Sequence, residues 1–211
     1  MSTKSRLVIA THNEGKAAEI RTLFGDTPFE LFSLSIFKDA GEAPEIENSY
    51  EGNATSKARY YAAFTGEFVL ADDSGLEVSA LDGAPGVLSA RYAGPTASDS
   101  ERRLKLLHEI ARTHTADRSA RFVCALALAS RTGEIIKVTH GICLGSISFE
   151  PRGNSGFGYD PIFIPKEYAQ TFGELSEGVK NQISHRAKAI ALMRQFMLSE
   201  TGLLDRVHLD S

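Results

Sequence analysis

The sequence predicts an α/β protein built on a mixed sheet. Three observations carry this. Strand-like and helix-like segments alternate from Arg6 to Ala71; a β-rich block follows from Ala120 to Ile164; and no repeat, low-complexity stretch or clear linker divides the chain. Alternation calls for parallel strands with crossover helices, whereas closely spaced strands call for hairpins, so one sheet must hold both kinds of pairing.

Arg6 to Ala10 (RLVIA) reads as a first strand buried on both faces, and Thr11-His12-Asn13 as a turn. Glu14 to Phe24 carries Ala17, Ile20, Leu23 and Phe24 at helical spacing and meets Gly25 as a stop. Phe29 to Phe32 is a second strand, and the acidic stretch Lys38 to Asn48 is a loop. Ser49 to Phe64 is a helix ended by Gly66, followed by a strand from Phe68 to Ala71. Ser98 to His114 is an amphipathic helix capped by Ser98 or Asp99, with Leu104, Leu107, Ile110 and Ala111 as its apolar stripe. Ala120 to Ser130 and Ile135 to Leu144 form a hairpin turning at Thr132-Gly133 through a two-residue loop. A glycine-rich loop, Pro151 to Asp160, precedes a short strand, Pro161 to Ile164, and a last helix runs from Ser184 to Ser199.

Composition narrows the function. The chain has 211 residues, 42% hydrophobic and 24% charged, as expected of one globular domain able to bury a sizeable core. Its formal net charge of -4 leaves no basic excess, so general binding to nucleic acid is not expected, and any phosphate must be held by a few focused cations. The N-terminal apolar run is too short for a signal-peptide core, and no later run approaches the roughly 18 residues of a membrane-spanning helix. A cytoplasmic protein with no membrane partner is expected. Cys124 and Cys143 fit a reducing compartment and read as buried thiols.

Five segments carry chemistry. Leu70 to Gly94 opens with Asp72-Asp73-Ser74-Gly75 at the predicted strand end, where carboxylates, small side chains and open backbone could bring a divalent metal and phosphate together. Successive residues of an extended chain point to opposite faces, so one aspartate should face the site while the other anchors the turn. Thr11-His12-Asn13-Glu14-Gly15-Lys16 opens a helix after a buried strand and offers N–H groups, hydroxyl, amide and ammonium to an anion; it lacks the GxxxxGK[ST] pattern of a Walker A loop. Asn53 and Lys57 are four apart on one helix face and can point at one ligand. Gly153 to Pro161 places Phe157 between glycines, where a ring could stack on a base. Ser184-His185-Arg186, just after Lys180, places an imidazole and a guanidinium at a helix start.

Taken together, the segments THNEGK, EGNATSKA, ADDSGLEVSALDGAPGVLSARYAG, FGYDPIF and SHRAKA resemble the inosine triphosphate pyrophosphatase family from Leu7 to about Met197. The resemblance implies an elongated two-lobed α/β fold with a long mixed sheet flanked by helices and an active site in the cleft between lobes, the whole chain, 1–211, forming a single domain. It implies a homodimer, Mg2+ as cofactor, and hydrolysis of nonstandard purine nucleoside triphosphates (ITP, dITP, XTP) to the monophosphate and pyrophosphate. Thr11, His12, Asn13, Glu14, Gly15, Lys16 and Lys57 would contact the triphosphate, and Asp73 would be catalytic and bind the metal. Ser74 would touch substrate, while Phe157, Gly158, Tyr159, Asp160, Lys180, His185 and Arg186 would form the base pocket. The family often has Thr-Gly-Asn where this chain has Thr11-His12-Asn13. Glu45 aligns best with the second metal carboxylate, with Glu42 and Glu47 as alternatives. Donors from His185, Arg186 or backbone N–H groups near Phe157 would select a 6-oxo over a 6-amino purine.

Overall fold

A computed structural model describes residues 5–25, 27, 29–44 and 47–199. Among the described residues, six strands form one sheet in the order β2-β1-β3-β4-β5-β6. They are β1 Ser5–Ala10, β2 Phe29–Ser33, β3 Phe68–Val78, β4 Ser119–Ala129, β5 Ile135–Ile147 and β6 Phe163–Pro165. The helices are α1 Glu14–Phe24, α2 Tyr50–Thr65, α3 Asp99–Arg112, α4 Glu177–Ile183 and α5 His185–Ser199. β1 pairs in parallel with both β2 and β3, and β5 pairs antiparallel with β6, so the sheet is mixed as expected. No described helix is long and apolar enough to cross a membrane.

The chain divides into two compact units. One comprises residues up to Asp73, Ala125–His140 and the chain from Lys188 onward; the other comprises Ser74–Cys124 and Gly141–Ala187. In the first unit, Leu7 to Ala10 are almost wholly buried, as a central parallel strand requires. Val8, Ala10, Val69 and Ala71 form one row of the sheet, packed with Ala54, Ala58, Tyr61 and Ala62 of α2. Alanine at 54, 58 and 62, one helical turn apart, leaves little bulk between helix and strand, so polar side chains on the same face can reach the sheet. In the second unit, Leu76, Leu106, Ile110, Phe122, Phe163 and Phe172 belong to a separate core.

Several expectations are corrected. β3 does not end at Ala71 but runs unbroken to Val78, with Asp72 and Asp73 buried inside it. The two carboxylates do not force a turn because each has a cationic partner. The apolar face of α3 is set by Leu106 and Ile110 with Leu107 beside them, while Leu104 is 59% exposed. Of the expected stripe, Leu107 and Ile110 pack against the core. The helix starts at Ser98, whose side chain and that of Glu101 form a reciprocal cap. The β4–β5 loop has three residues rather than two: Ser130 N–H bonds the Glu134 carbonyl, and Gly133 takes the left-handed position at φ 83° that such loops require. A short helical turn, Asp160–Ile162, replaces the start of the last predicted strand, and α4 was not foreseen. Cys124 and Cys143 are buried thiols, not bridged.

Candidate active site

In the first unit the site is built on alternation along β3. Asp73 continues the row of Val69 and Ala71 toward α2; Asp72 continues the row of Phe68 and Leu70 on the other face. Each aspartate meets a lysine from a different helix. Lys57 Nζ of α2 lies 2.9 Å from Asp73 Oδ1, and both side chains are about nine-tenths buried. Lys16 Nζ of α1 lies 2.5 Å from Asp72 Oδ1. Asn53, one turn before Lys57, donates to Asp73 Oδ2 at 3.2 Å, and its own Oδ1 accepts the Glu47 backbone N–H at 3.1 Å. Asn53 therefore ties the acidic loop to the Asp73 carboxylate. The two aspartates point to opposite faces, as expected, but Asp72, expected to anchor a turn, pairs instead with Lys16 of α1.

The turn before α1 is organised for its own helix. Asn13 is the N-cap, accepting the Lys16 N–H at 3.0 Å, and Thr11 Oγ1 accepts the Asn13 N–H at 3.1 Å. Glu14 lies in the first turn, with Gly15 between it and Lys16. The His12 imidazole lies 3.2 Å from the Tyr61 hydroxyl.

The second unit gathers the other expected residues. Lys180 Nζ donates to Asp160 Oδ2 at 2.6 Å, both side chains being more than nine-tenths buried. The same oxygen accepts the Phe157 N–H at 2.8 Å. The Lys180 ammonium lies 4.8 Å and the Arg186 guanidinium 5.8 Å from the Phe157 ring centre. Arg186 also donates to Ser74 Oγ at 3.0 Å, and His185 stacks on Phe122 at 4.6 Å and 11°. Gly156 has φ 74°, and a Cβ there would sit 2.1 Å from Asp160 Oδ2, so only glycine permits this carboxylate to close the loop.

α3 clamps the loop from outside. Asp99 accepts the Gly158 N–H at 2.7 Å, and Arg103 donates to the Gly158 carbonyl at 2.7 Å. Burial works against the Asp99 charge, but the bonds from Arg102 and Gly158 outweigh it and hold the carboxyl below the usual aspartate range. Tyr159 is buried, donates to the Ser89 carbonyl at 2.9 Å, and burial raises its phenol well above the ordinary value. The backbone N–H groups of Phe157 and Gly158 are thus committed to Asp160 and Asp99. Expected among the donors to a base, both instead hold the shape of the loop.

Asp73 is a hard oxygen ligand of the kind a divalent cation takes. A carboxylate offers about four lone-pair sites, and Mg2+ takes one or two protein carboxylates beside water and phosphate oxygens. Glu45 lies outside the described residues. Of the two alternatives, Glu47 has its backbone N–H, not its carboxylate, linked to Asp73 through Asn53. An open groove of about 810 Å3 in the second unit, lined by Glu77, Ser79, Arg121, Leu144, Lys166 and Tyr168 among others, holds none of these residues. Its Glu77–Arg121 pair bridges neighbouring strands at the surface, so the buried charges, not this open groove, mark the chemistry.

Sequence reasoning noted Asn53 by its spacing from Lys57 but missed Tyr61, Asp99 and Arg103. Tyr61 lies two turns after Asn53 on the same helix face and was legible as a core residue only. Nothing local ties Asp99 and Arg103 to a loop more than 50 residues away.

The profile of the Ham1 family matches residues 7–196. A dITP/XTP pyrophosphatase of an Exiguobacterium species is 47% identical over 185 residues, 88% of this chain and 93% of that protein. The dITP/XTP pyrophosphatase of Chlamydia pneumoniae is 46% identical over 95% of this chain and 99% of its own length. Among solved structures, a HAM1 protein from Coxiella burnetii superposes with a TM-score of 0.84 at 39% identity, covering 92% of this chain and 98% of that one. The Staphylococcus aureus Ham1 protein gives 0.82 at 39% identity over 93% of this chain and 100% of its own. With its parallel β1–β3 core, its paired aspartates and its clamped aromatic loop, the chain belongs to the Ham1 family.

Proposed function

We propose that this protein is a dITP/XTP pyrophosphatase. It hydrolyses nonstandard purine nucleoside triphosphates to the monophosphate and pyrophosphate, removing them from the nucleotide pool. The observation that carries the reading is the buried Asp73 carboxylate, held by Lys57 and Asn53 in a chain similar over most of its length to proteins named for this activity.

Water attacks the α-phosphorus, the bond from that phosphorus to the bridging oxygen breaks, and pyrophosphate departs. Asp73 orients the water and takes its proton. Lys57 moves its charge from Asp73 toward the phosphates as the carboxylate is used, and Lys16 adds a second cation for the departing pyrophosphate. The helix start at Thr11 to Lys16 receives phosphate oxygens. Asp73, with Glu45, Glu42 or Glu47, would hold Mg2+, which when bound neutralises charge on the phosphate oxygens. At the base, Phe157 offers a stacking face, and His185 and Arg186 supply the donors. A 6-oxo group satisfies them, and a 6-amino group opposes them, a difference that can reach about 10⁴. Lys180 stabilises the loop through Asp160. The reading includes a homodimer in the cytoplasm, and the mass in solution checks the dimer.

The test is pyrophosphate release from a panel of ITP, dITP, XTP, ATP, GTP and modified pyrimidine triphosphates, with Mg2+ and with chelator. Release should be fastest with dITP, ITP and XTP and should stop with chelator. Tight binding without release would make the protein a nucleotide sensor. Preference for the pyrimidines would make it a house-cleaning pyrophosphatase of another class.

A further inference from the structure

His12 stands where the resembled family often has glycine, and its imidazole turns toward α2. It meets Tyr61 edge to face, with ring centres 6.2 Å apart at 67° and Nε2 3.2 Å from the hydroxyl oxygen. Tyr61 is 2% exposed. Its hydroxyl has two further neighbours, the Gly41 carbonyl at 3.0 Å and the Ala43 N–H at 3.1 Å.

A hydroxyl carries one proton and two lone pairs. The Gly41 carbonyl can only accept, so the proton goes there. The Ala43 amide can only donate, so it takes one lone pair. What remains for His12 is the second lone pair, and Nε2 must carry the hydrogen. Burial raises the Tyr61 phenol above its ordinary value, so the hydroxyl keeps its proton at neutral pH.

We propose that His12 and Tyr61 form a clasp: Nε2–H of His12 donating to Tyr61 Oη fastens the anion-binding turn, Thr11 to Lys16, to the acidic loop at Gly41–Ala43. Both are positioning residues for the phosphate end of the site, and the assignment rests on the function proposed above. Asn53, Lys57 and Tyr61 recur every four residues on α2, so one helix face holds the acidic loop at Glu47, the Asp73 carboxylate, and the acidic loop again at Gly41–Ala43. His12 extends that line of contacts to the turn before α1.

The test uses His12→Ala, Tyr61→Phe, the double variant and His12→Gln, which keeps a donor. Two readouts are compared: kcat and KM for dITP by pyrophosphate release, and amide hydrogen exchange at Ala43 in the nucleotide-free protein. Each single substitution should lower kcat/KM about tenfold, the double no more than either single, with partial recovery in His12→Gln. Exchange at Ala43 should quicken in both single variants. The clasp is overturned if His12→Ala has wild-type kcat/KM, if the two effects multiply in the double variant, or if Ala43 exchange is unchanged in His12→Ala. Wild-type protein that releases no pyrophosphate from dITP would sink the proposed function instead, and the exchange rates alone would then decide the clasp.

Discussion

Two buried Lys–Asp pairs, Lys57–Asp73 in the first unit and Lys180–Asp160 in the second, are chemically alike and put to different uses. Asp73 sits in mid-strand with regular structure on both sides, and its carboxylate is held by two side chains of one helix. Asp160 sits at the end of a glycine-rich loop, and its carboxylate is spent on a backbone N–H three residues earlier. The first pair presents an acid; the second shapes a loop. A buried ion pair by itself therefore says little about role, and the third partner decides it.

The largest expected effect separates the two. Asp73→Asn should lower kcat for dITP by about 10²–10⁴ while nucleotide binding remains measurable by calorimetry. Asp160→Asn should act mainly on KM. Equal loss of kcat in both would erase the distinction. Next come Lys57→Met and Lys180→Met. Each removes the cation from beside a buried carboxylate, so each should lose about 3–5 kcal/mol of stability in urea titrations. Variants within 1 kcal/mol of wild type, about a fivefold change in the folding constant, would show that water or other partners replace the ammonium. Smaller still is Arg186→Lys, which keeps charge but loses the planar fork; preference for dITP over dATP should fall roughly tenfold. Unchanged preference would move base selection away from Arg186.

The smallest effect is one of pH. Asp99 has its folded pKa held below the usual range, so its contribution is present at neutral pH and is lost as pH falls through that folded value. The melting-temperature gap between wild type and Asp99→Asn should be constant near neutrality and close below about pH 4. Since the Asp99 side chain is 39% exposed, the gap itself should be small. A gap that widens in acid would contradict the assignment of Arg102 and Gly158 as the groups that hold it charged.

Legibility followed the length of the interactions. The bounds of α1, the cap of α3 at Ser98 or Asp99 and the shared face of Asn53 and Lys57 were readable because helical spacing and capping are local. The break placed after Ala71 was an error of the same local logic, since Asp-Asp-Ser-Gly has the composition of a turn. Lys16 and Lys57, 56 and 16 residues from their aspartates, make the strand possible, and no window of sequence contains them both with their partners. The stripe of α3 was misplaced because Arg103, Leu106, Leu107 and Ile110 and the foreseen Leu104, Leu107, Ile110 and Ala111 are both valid helical rows. Burial of Leu106 chose between them.

The amino-acid order alone determined the mixed α/β class, the family resemblance and the residue types available for phosphate chemistry, because periodicity, caps and glycine positions act over a few residues. Folding in three dimensions decided that each of the two adjacent acids, on its own face of the strand, meets its own lysine. It also decided that backbone donors near Phe157 are consumed by Asp160 and Asp99, and that His12 meets Tyr61. Those outcomes depend on which buried charges and hydroxyl groups find partners across tens of residues, and burial makes leaving any of them unmatched too costly for another arrangement to compete.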